Sequence, residues 1–278
     1  MATHQQRFGV LLRRWRQRRR MTQMDLASIA NSSTRHLSYL ETGRAQPSRE
    51  MVMRLAEDLD VPLRERNALL LSAGFAPAFQ ESSLPELASA HRAIEQILEA
   101  HKPYPAFAVD RRWNIVLSNR AIPRLYVGVS PELLQPPVNA MRLTLHPFGL
   151  APRIVNLAEW RHHAITVLRQ QVEARADSAL QTLLTEIMTY PTPPDGLVTE
   201  TEDGAHRYAT PLQIATEAGV VSFLNTTTVF GTPTDITLSE LALEMLFPAD
   251  AETVEIVATL NVADSTPVER EDMAIRPH

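Results

Sequence analysis

The sequence predicts an all-α N-terminal domain of five helices, followed by an α+β domain built from an antiparallel sheet with helices. Three observations predict this. Residues 7–73 hold five short segments whose apolar residues recur at helical spacing, separated by capping residues, glycine or proline. Of the 20 prolines, 17 lie after residue 80, so helices there must be interrupted. Residues 1–80 carry 13 Arg and no Lys against 7 acidic residues, a balance of +6; the remainder carries 13 Arg and 1 Lys against 25, a balance of −11. A chain of 278 residues suits two domains of ~100–200 residues each. The expected divisions are 1–79, a connecting helix over 80–101, the α+β domain over 102–262, and a mobile polar tail over 263–278.

Phe8, Leu11, Leu12 and Trp15 predict a first helix over Gln6–Arg19, with most of the run RRWRQRRR off its apolar face. Thr22 is a good cap for a second helix over Gln23–Ala30. Asn31 stands where the chain must turn sharply and tolerates the left-handed conformation. Ser33 caps a third helix over Thr34–Glu41, which Gly43 ends by taking positive φ. Ser48 opens a fourth, with Met51, Leu55, Ala56 and Leu59 on one face, and Leu63–Ala73 forms a fifth. Pro47, Pro62 and Pro77 sit near helix ends.

Beyond Phe79, Leu84–His101 reads as a helix with Leu87, Ile94, Ile97 and Leu98 as its stripe. Ala106–Asp110 and Asn114–Ser118 read as strands about a turn at Arg111–Arg112. Leu157–Arg175 and Ser178–Tyr190 are amphipathic helices. Tyr208–Glu217 and Val220–Phe230 form a hairpin about Ala218–Gly219, and Leu238–Phe247 and Glu252–Leu260 read as terminal helices. The helices are expected on one face of the sheet. No internal repeat is present.

The absence of Cys removes disulfides, thiolate zinc sites and cysteine nucleophiles, and is compatible with a reducing cytoplasm. No apolar run is long enough to span a membrane, and the charged N-terminus does not read as a signal peptide. The expected location is cytoplasmic. No G-x-S-x-G, H-E-x-x-H, P-loop or dinucleotide fingerprint occurs, so no enzyme is expected. His162 and His163 adjoin on a helix and point apart, which is poor metal geometry. Haem would need an axial ligand such as His146 or His163; each is read as a packed or solvated residue, and no cofactor is required.

Met21–Ser48 therefore reads as a helix-turn-helix. On its second helix Leu37 and Leu40 face the core, while Thr34, Arg35, Ser38 and Tyr39 lie opposite. Arg pairs bidentately with guanine, and Ser or Thr with several bases. Gln23 and the cap residue Ser33 lie at helix N-termini, where phosphate is held; Arg44 in the following loop is a phosphate contact. Arg18, Arg19 and Arg20 add a diffuse positive field. The partner expected is a double-stranded DNA operator.

TQMDLASIANSSTRHLSYLETGRAQPS resembles the XRE (phage-repressor-type) helix-turn-helix family over about residues 7–60. The resemblance puts Gln23 on its phosphate-binding Gln, Leu26–Ala27 on its buried pair, Thr34, Arg35 and Tyr39 on base-reading positions, and Glu41, Gly43 and Pro47 on its closing motif. It implies a structural pair between Arg16 and Glu41. Asn31 departs from the usual Gly, at modest cost.

VPLRERNALLLSAGFAPAF, AVDRRWNIVLSN and VFGTPTDITLSELALEMLFPAD, in that order, resemble regulators with an MmyB-like ligand-binding domain over most of residues 63–255. The resemblance implies a PAS-like sensor of a small lipid-like ligand, such as a bound fatty acid. Phe107, Val109, Val116, Leu125, Met141, Leu143, Leu145, Trp160, Ile165, Leu168, Leu183, Ile187, Phe223 and Phe230 either line a cavity or fill the core. Asn139, Arg142 and His146, then Arg153 and Arg161, are candidates to meet a carboxylate.

The function expected is a ligand-responsive transcriptional regulator acting as a homodimer, because one short recognition helix reads few base pairs. Helix 84–101 is the expected coupler. The alternatives are a second domain that only dimerises or binds a protein partner, and an enzyme fused to a DNA-binding domain.

Overall fold

The computed structural model describes residues 4–175, 177–191 and 210–264. Its first five helices are α1 (His4–Arg18), α2 (Gln23–Ile29), α3 (Thr34–Glu41), α4 (Arg49–Asp58) and α5 (Leu63–Ser72). Their starts follow from local chemistry. The Thr22 hydroxyl accepts from the Asp25 amide and the Asp25 carboxylate from the Thr22 amide, a reciprocal capping box that holds Asp25 below the usual carboxylate range. The Ser33 and Ser48 hydroxyls cap α3 and α4 by accepting from the amides of His36 and Met51. Asn31 and Gly43 adopt left-handed backbone, at φ 50° and 72°.

The five helices enclose one core, with Phe8, Leu12, Leu26, Leu37, Leu40 and Leu55 essentially inaccessible. Gly9 governs how closely α1 approaches α3. A Cβ there would stand 2.5 Å from the carbonyl oxygens of both Leu40 and Glu41. Gly9→Ala is therefore expected to push the helices apart and cost about 1–3 kcal/mol, the usual penalty of overpacking. Urea denaturation should show a lower midpoint with an unchanged slope; an unchanged midpoint would show that the contact relaxes freely.

A 3₁₀ turn (Leu84–Glu86) leads into α6 (Ala88–Ala100). The second half holds β1 (Ala106–Val109), β2 (Ile115–Ser118), α7 (Ile122–Leu125), α8 (Ala140–Leu145), α9 (Leu157–Arg175), α10 (Ser178–Met188), β3 (Leu212–Thr216), β4 (Gly219–Val229), α11 (Ile236–Glu240), β5 (Ala242–Pro248) and α12 (Ala251–Asp264). The short α7 and α8 were not anticipated from the sequence. The strands form one antiparallel sheet in the order β2-β1-β5-β4-β3. The first two residues of the expected hairpin, Tyr208 and Ala209, and the expected tail from residue 265 onward lie outside the described residues.

One expectation fails outright. Leu238–Phe247 is not a helix: α11 stops at Glu240 and β5 runs between β1 and β4, pairing with both. A strand covered on both faces presents a nearly continuous apolar run, here LALEML with Glu244 its one polar residue, which periodicity cannot tell from a buried helix. The helices are also not confined to one face. Ile94 and Leu98 of α6 pack with Ala106, Ala108 and Leu243 on one side, while α7–α10 cover the side carrying Phe223 and Leu246.

Candidate functional site

The N-terminal candidate surface is the outward side of α3. Leu37 and Leu40 are buried, whereas Thr34 and Arg35 are exposed and Ser38 and Tyr39 half-buried. Arg35 is held in place: its Nε donates to the Tyr39 hydroxyl at 3.0 Å, and its guanidinium lies 5.4 Å from the centre of the Tyr39 ring. That contact uses Nε and not the two terminal nitrogens, which can meet a guanine edge. Arg44 is exposed in the loop after α3. The Ser33 hydroxyl accepts from the His36 amide, so its first role is to cap α3.

Beneath this surface, Arg16 and Glu41 meet in a two-pronged ion pair at 2.6 and 3.0 Å, with side chains only 10% and 2% exposed. The carboxylate raises the Arg16 pKa further. The Gln23 amide donates to the same carboxylate at 2.8 Å, so one of its hydrogens is engaged within the protein. Arg18 and Arg19 are fastened too, donating to the carbonyls of Val172 and Glu173 and of Leu59 and Asp60. Their charge contributes to the field of this end, while their positions are set by the chain itself.

The second candidate site is a cavity of about 230 Å³ between the sheet and α7–α9. Phe107, Leu212 and Leu246 line it from the strands, Met141 and Leu143 from α8, and Trp160, His163 and Val167 from α9. Set among them are Glu244, Asn225 and Thr227. Strand register explains why these polar groups meet: Glu244 on β5 stands opposite Thr227 on β4 and Phe107 on β1. Glu244 is 1% exposed and accepts from Asn225 Nδ2 at 2.6 Å and from the Thr227 hydroxyl at 3.1 Å. Burial pushes its carboxyl above the usual range, against the pull of those two donors. Burial, and secondarily the charge of His162, lowers the pKa of His163 and favours a neutral ring. Burial alone pushes Tyr126, also lining the cavity, up to about 12.

Of the residues singled out in the sequence, Phe107, Leu125, Met141, Leu143 and Trp160 come together at this cavity. Phe223 lines a larger adjoining groove of about 710 Å³, which shares Leu125 and includes Arg124, Arg153 and Glu217. The others stand elsewhere. Val116 is exposed on the edge strand, Ile165 is buried in the core, and Phe230 packs with the α6 cluster on the opposite side of the sheet. His146 packs edge-on against Tyr190.

None of the candidate head-group contacts lines the 230 Å³ cavity. Arg142 already grips a carboxylate, that of Glu186, through two bonds of 2.7 Å. Arg153 donates to the carbonyls of Ala215, Leu125 and Val127, and Arg161 to those of Ile187 and Met188 at the end of α10. Asn139 caps α8 and donates to the Arg112 carbonyl. Sequence reading missed Glu244 because Leu238–Phe247 was read as a helix, which scatters its side chains instead of aligning Glu244 with Thr227.

The two halves are joined by specific bonds. The Ile236 amide donates to the Gln80 carbonyl, and the Ser82 amide to the Asp235 carboxylate. Arg64 of α5 makes a fork with Glu240, at the end of α11, at 2.8 and 2.9 Å, and a second fork with Glu81. These carboxylates hold the Arg64 pKa well above its ordinary value. Arg111, in the β1–β2 turn, approaches Asp177 and Glu240.

Among the described residues, no helix is long and apolar enough to cross a membrane. A family model for a helix-turn-helix domain matches residues 7–69, and one for the MmyB-like transcription regulator ligand binding domain matches residues 90–260. No curated protein matches the chain. Two crystal structures of the clp gene regulator ClgR from Corynebacterium glutamicum are similar to part of it. One is 26% identical, covering 27% of this chain and 92% of that one with a TM-score of 0.24. The other is 24% identical, covering 37% and 97%, also with a TM-score of 0.24. Scores this low add nothing to the two family matches. With the second match alone spanning more than half of its length, the chain belongs to the MmyB-like transcription regulators, carrying a helix-turn-helix domain ahead of the ligand-binding domain.

Proposed function

We propose that this protein is a sequence-specific DNA-binding regulator whose C-terminal domain takes up a small lipid-like ligand and changes its operator affinity in response. The observation that carries the reading is Arg35, exposed on α3 and oriented by Tyr39, above a helix pair locked by Arg16 and Glu41. Thr34, Arg35, Ser38 and Tyr39 read base edges, with Gln23, Ser33 and Arg44 at phosphates. Gln23 can serve there through the amide hydrogen that Glu41 does not use. The protein acts as a homodimer on two half-sites about one helical turn apart, since a single α3 spans few base pairs. A fatty acid or other lipid is the ligand that the family resemblance implies, and the apolar lining of the cavity supports that class. The ligand acts through unequal affinity for two arrangements of the dimer.

Arg35→Ala and Arg44→Ala separate the roles. Arg35→Ala is expected to cost about 1–3 kcal/mol on the preferred operator and relax preference at one base pair. Arg44→Ala is expected to weaken all sequences alike and to reduce the salt dependence of binding by about one counterion. Operator selection followed by salt titration checks both. If both variants lose affinity uniformly across sequences, α3 does not read bases through Arg35.

A further inference from the structure

The cavity beneath α7–α9 has an unexpected polar end. A site for an ionised fatty acid needs a cation or a group of hydrogen-bond donors, and the lining has neither Arg nor Lys. Tyr126 and His163 carry single donors on its wall, but the strand end offers acceptors. Glu244 is buried beneath the sheet face with both oxygens toward Asn225 and Thr227. The Asn225 amide spends its nitrogen on Glu244, which leaves its carbonyl oxygen buried without a partner. A buried orphan acceptor is costly, and it is satisfied when something brings a donor to it. The arginines that could have met an acid hold Glu186 or main-chain carbonyls, as described above.

We propose that this cavity selects an alkyl ligand whose head group is a hydrogen-bond donor, an amine or an alcohol, in preference to a carboxylate. The head donates to the Asn225 carbonyl and to Glu244, and the chain lies among Phe107, Met141, Leu143 and Trp160. An ammonium head additionally neutralises the buried Glu244 charge, whereas a carboxylate would face it without compensation. The inference rests on the reading of the C-terminal domain as a ligand sensor and specifies the chemistry it senses. Size follows from volume. With about 30 Å³ per water-sized group, 230 Å³ holds on the order of eight such groups, so an eight-carbon chain is the right scale.

The test is isothermal titration calorimetry of the full chain with octan-1-amine, octan-1-ol and octanoate at neutral pH. The expected order is amine, then alcohol, then octanoate, with amine and octanoate at least tenfold apart. Glu244→Gln keeps the shape and removes the charge; it is expected to bring the amine down to the level of the alcohol without abolishing alcohol binding. Asn225→Leu, which leaves Glu244 in place, is expected to weaken the alcohol and serves if Glu244→Gln does not fold. Octanoate binding as tightly as the amine, or an amine preference untouched by both substitutions, overturns the proposal while leaving a lipid sensor standing. If none of the three probes binds, the cavity is not an alkyl-ligand site; that overturns the proposal and leaves the sensor reading to the adjoining groove of about 710 Å³.

Discussion

Glu41→Ala is expected to destabilise the N-terminal helices by about 3–5 kcal/mol, the cost of leaving one member of a buried ion pair alone. The cost falls on Arg16. Its guanidinium stays buried, held by a bond from Nη1 to the Met21 carbonyl at 2.7 Å, and cannot swing into water without breaking the turn after α1. Gln23 loses its acceptor in the same step. Since a domain is stable by only ~5–15 kcal/mol, such a loss is a large fraction of the margin, and operator binding should fail at a lower temperature than in the wild type. Circular dichroism during urea denaturation reads the change directly. Restoring charge balance is not the only rescue. The double variant Arg16→Met, Glu41→Leu removes both desolvated charges and should recover most of the lost stability, because apolar groups of similar volume commonly match or exceed a buried pair. If Glu41→Ala unfolds at the wild-type urea concentration, the pair is ornamental to the fold.

Glu240→Ala is expected to disconnect the two domains functionally while leaving both folded. Glu240 closes α11, and only Leu241–Leu243 separate it from Glu244 in the cavity wall. On its other side it holds Arg64 of α5 in the DNA-binding half. A ligand that repositions the start of β5 therefore moves a carboxylate gripped by the DNA-binding domain. Couplings of this kind usually alter affinity by about 5–150-fold. In Glu240→Ala the change in operator affinity caused by whichever octyl probe binds should fall to near none. Affinity without probe should stay within about threefold of the wild type. The effect on stability should be about 1–3 kcal/mol, between an exposed and a buried pair: Glu240 is 15% exposed and also faces Arg111, but Arg64 is 27% exposed and retains Glu81. Fluorescence anisotropy with labelled operator, with and without probe, measures both quantities. An undiminished probe response would move the coupling elsewhere, to α6 or to the clasp of Arg18 on α9.

That route differs from the one expected of the sequence. The helix over 84–101 looked like the coupler because it lies between the domains in the chain. In the folded protein α6 is packed onto the sheet through Ile94 and Leu98, and bonds that cross between halves join α1 to α9, and α5 and residues 80–82 to α11 and Asp235.

The helix-turn-helix was legible because its determinants are local. Thr22, Ser33 and Ser48 cap helices within three residues of themselves, Asn31 and Gly43 take left-handed turns where they stand, and Leu37 and Leu40 share a face by helical period alone. Arg16 and Glu41 were paired from resemblance across 25 residues, and the geometry agrees. The ligand end was not legible. Cavity residues come from α7, α8, α9 and all five strands, and which apolar side chains line a space and which fill the core depends on how those elements pack. The arginines were candidates to meet a ligand carboxylate, yet backbone carbonyls and Glu186 engage them. Sequence by itself thus determined the helical reading head, the sign of its charge and the pattern of strands before residue 230, all set by short-range sterics and capping. Only the tertiary structure decided that LALEML is the central strand, because burial on both faces erases the alternation by which a strand is recognised. That one decision places Glu244 beside Thr227 and Asn225, and with it the polar end of the cavity.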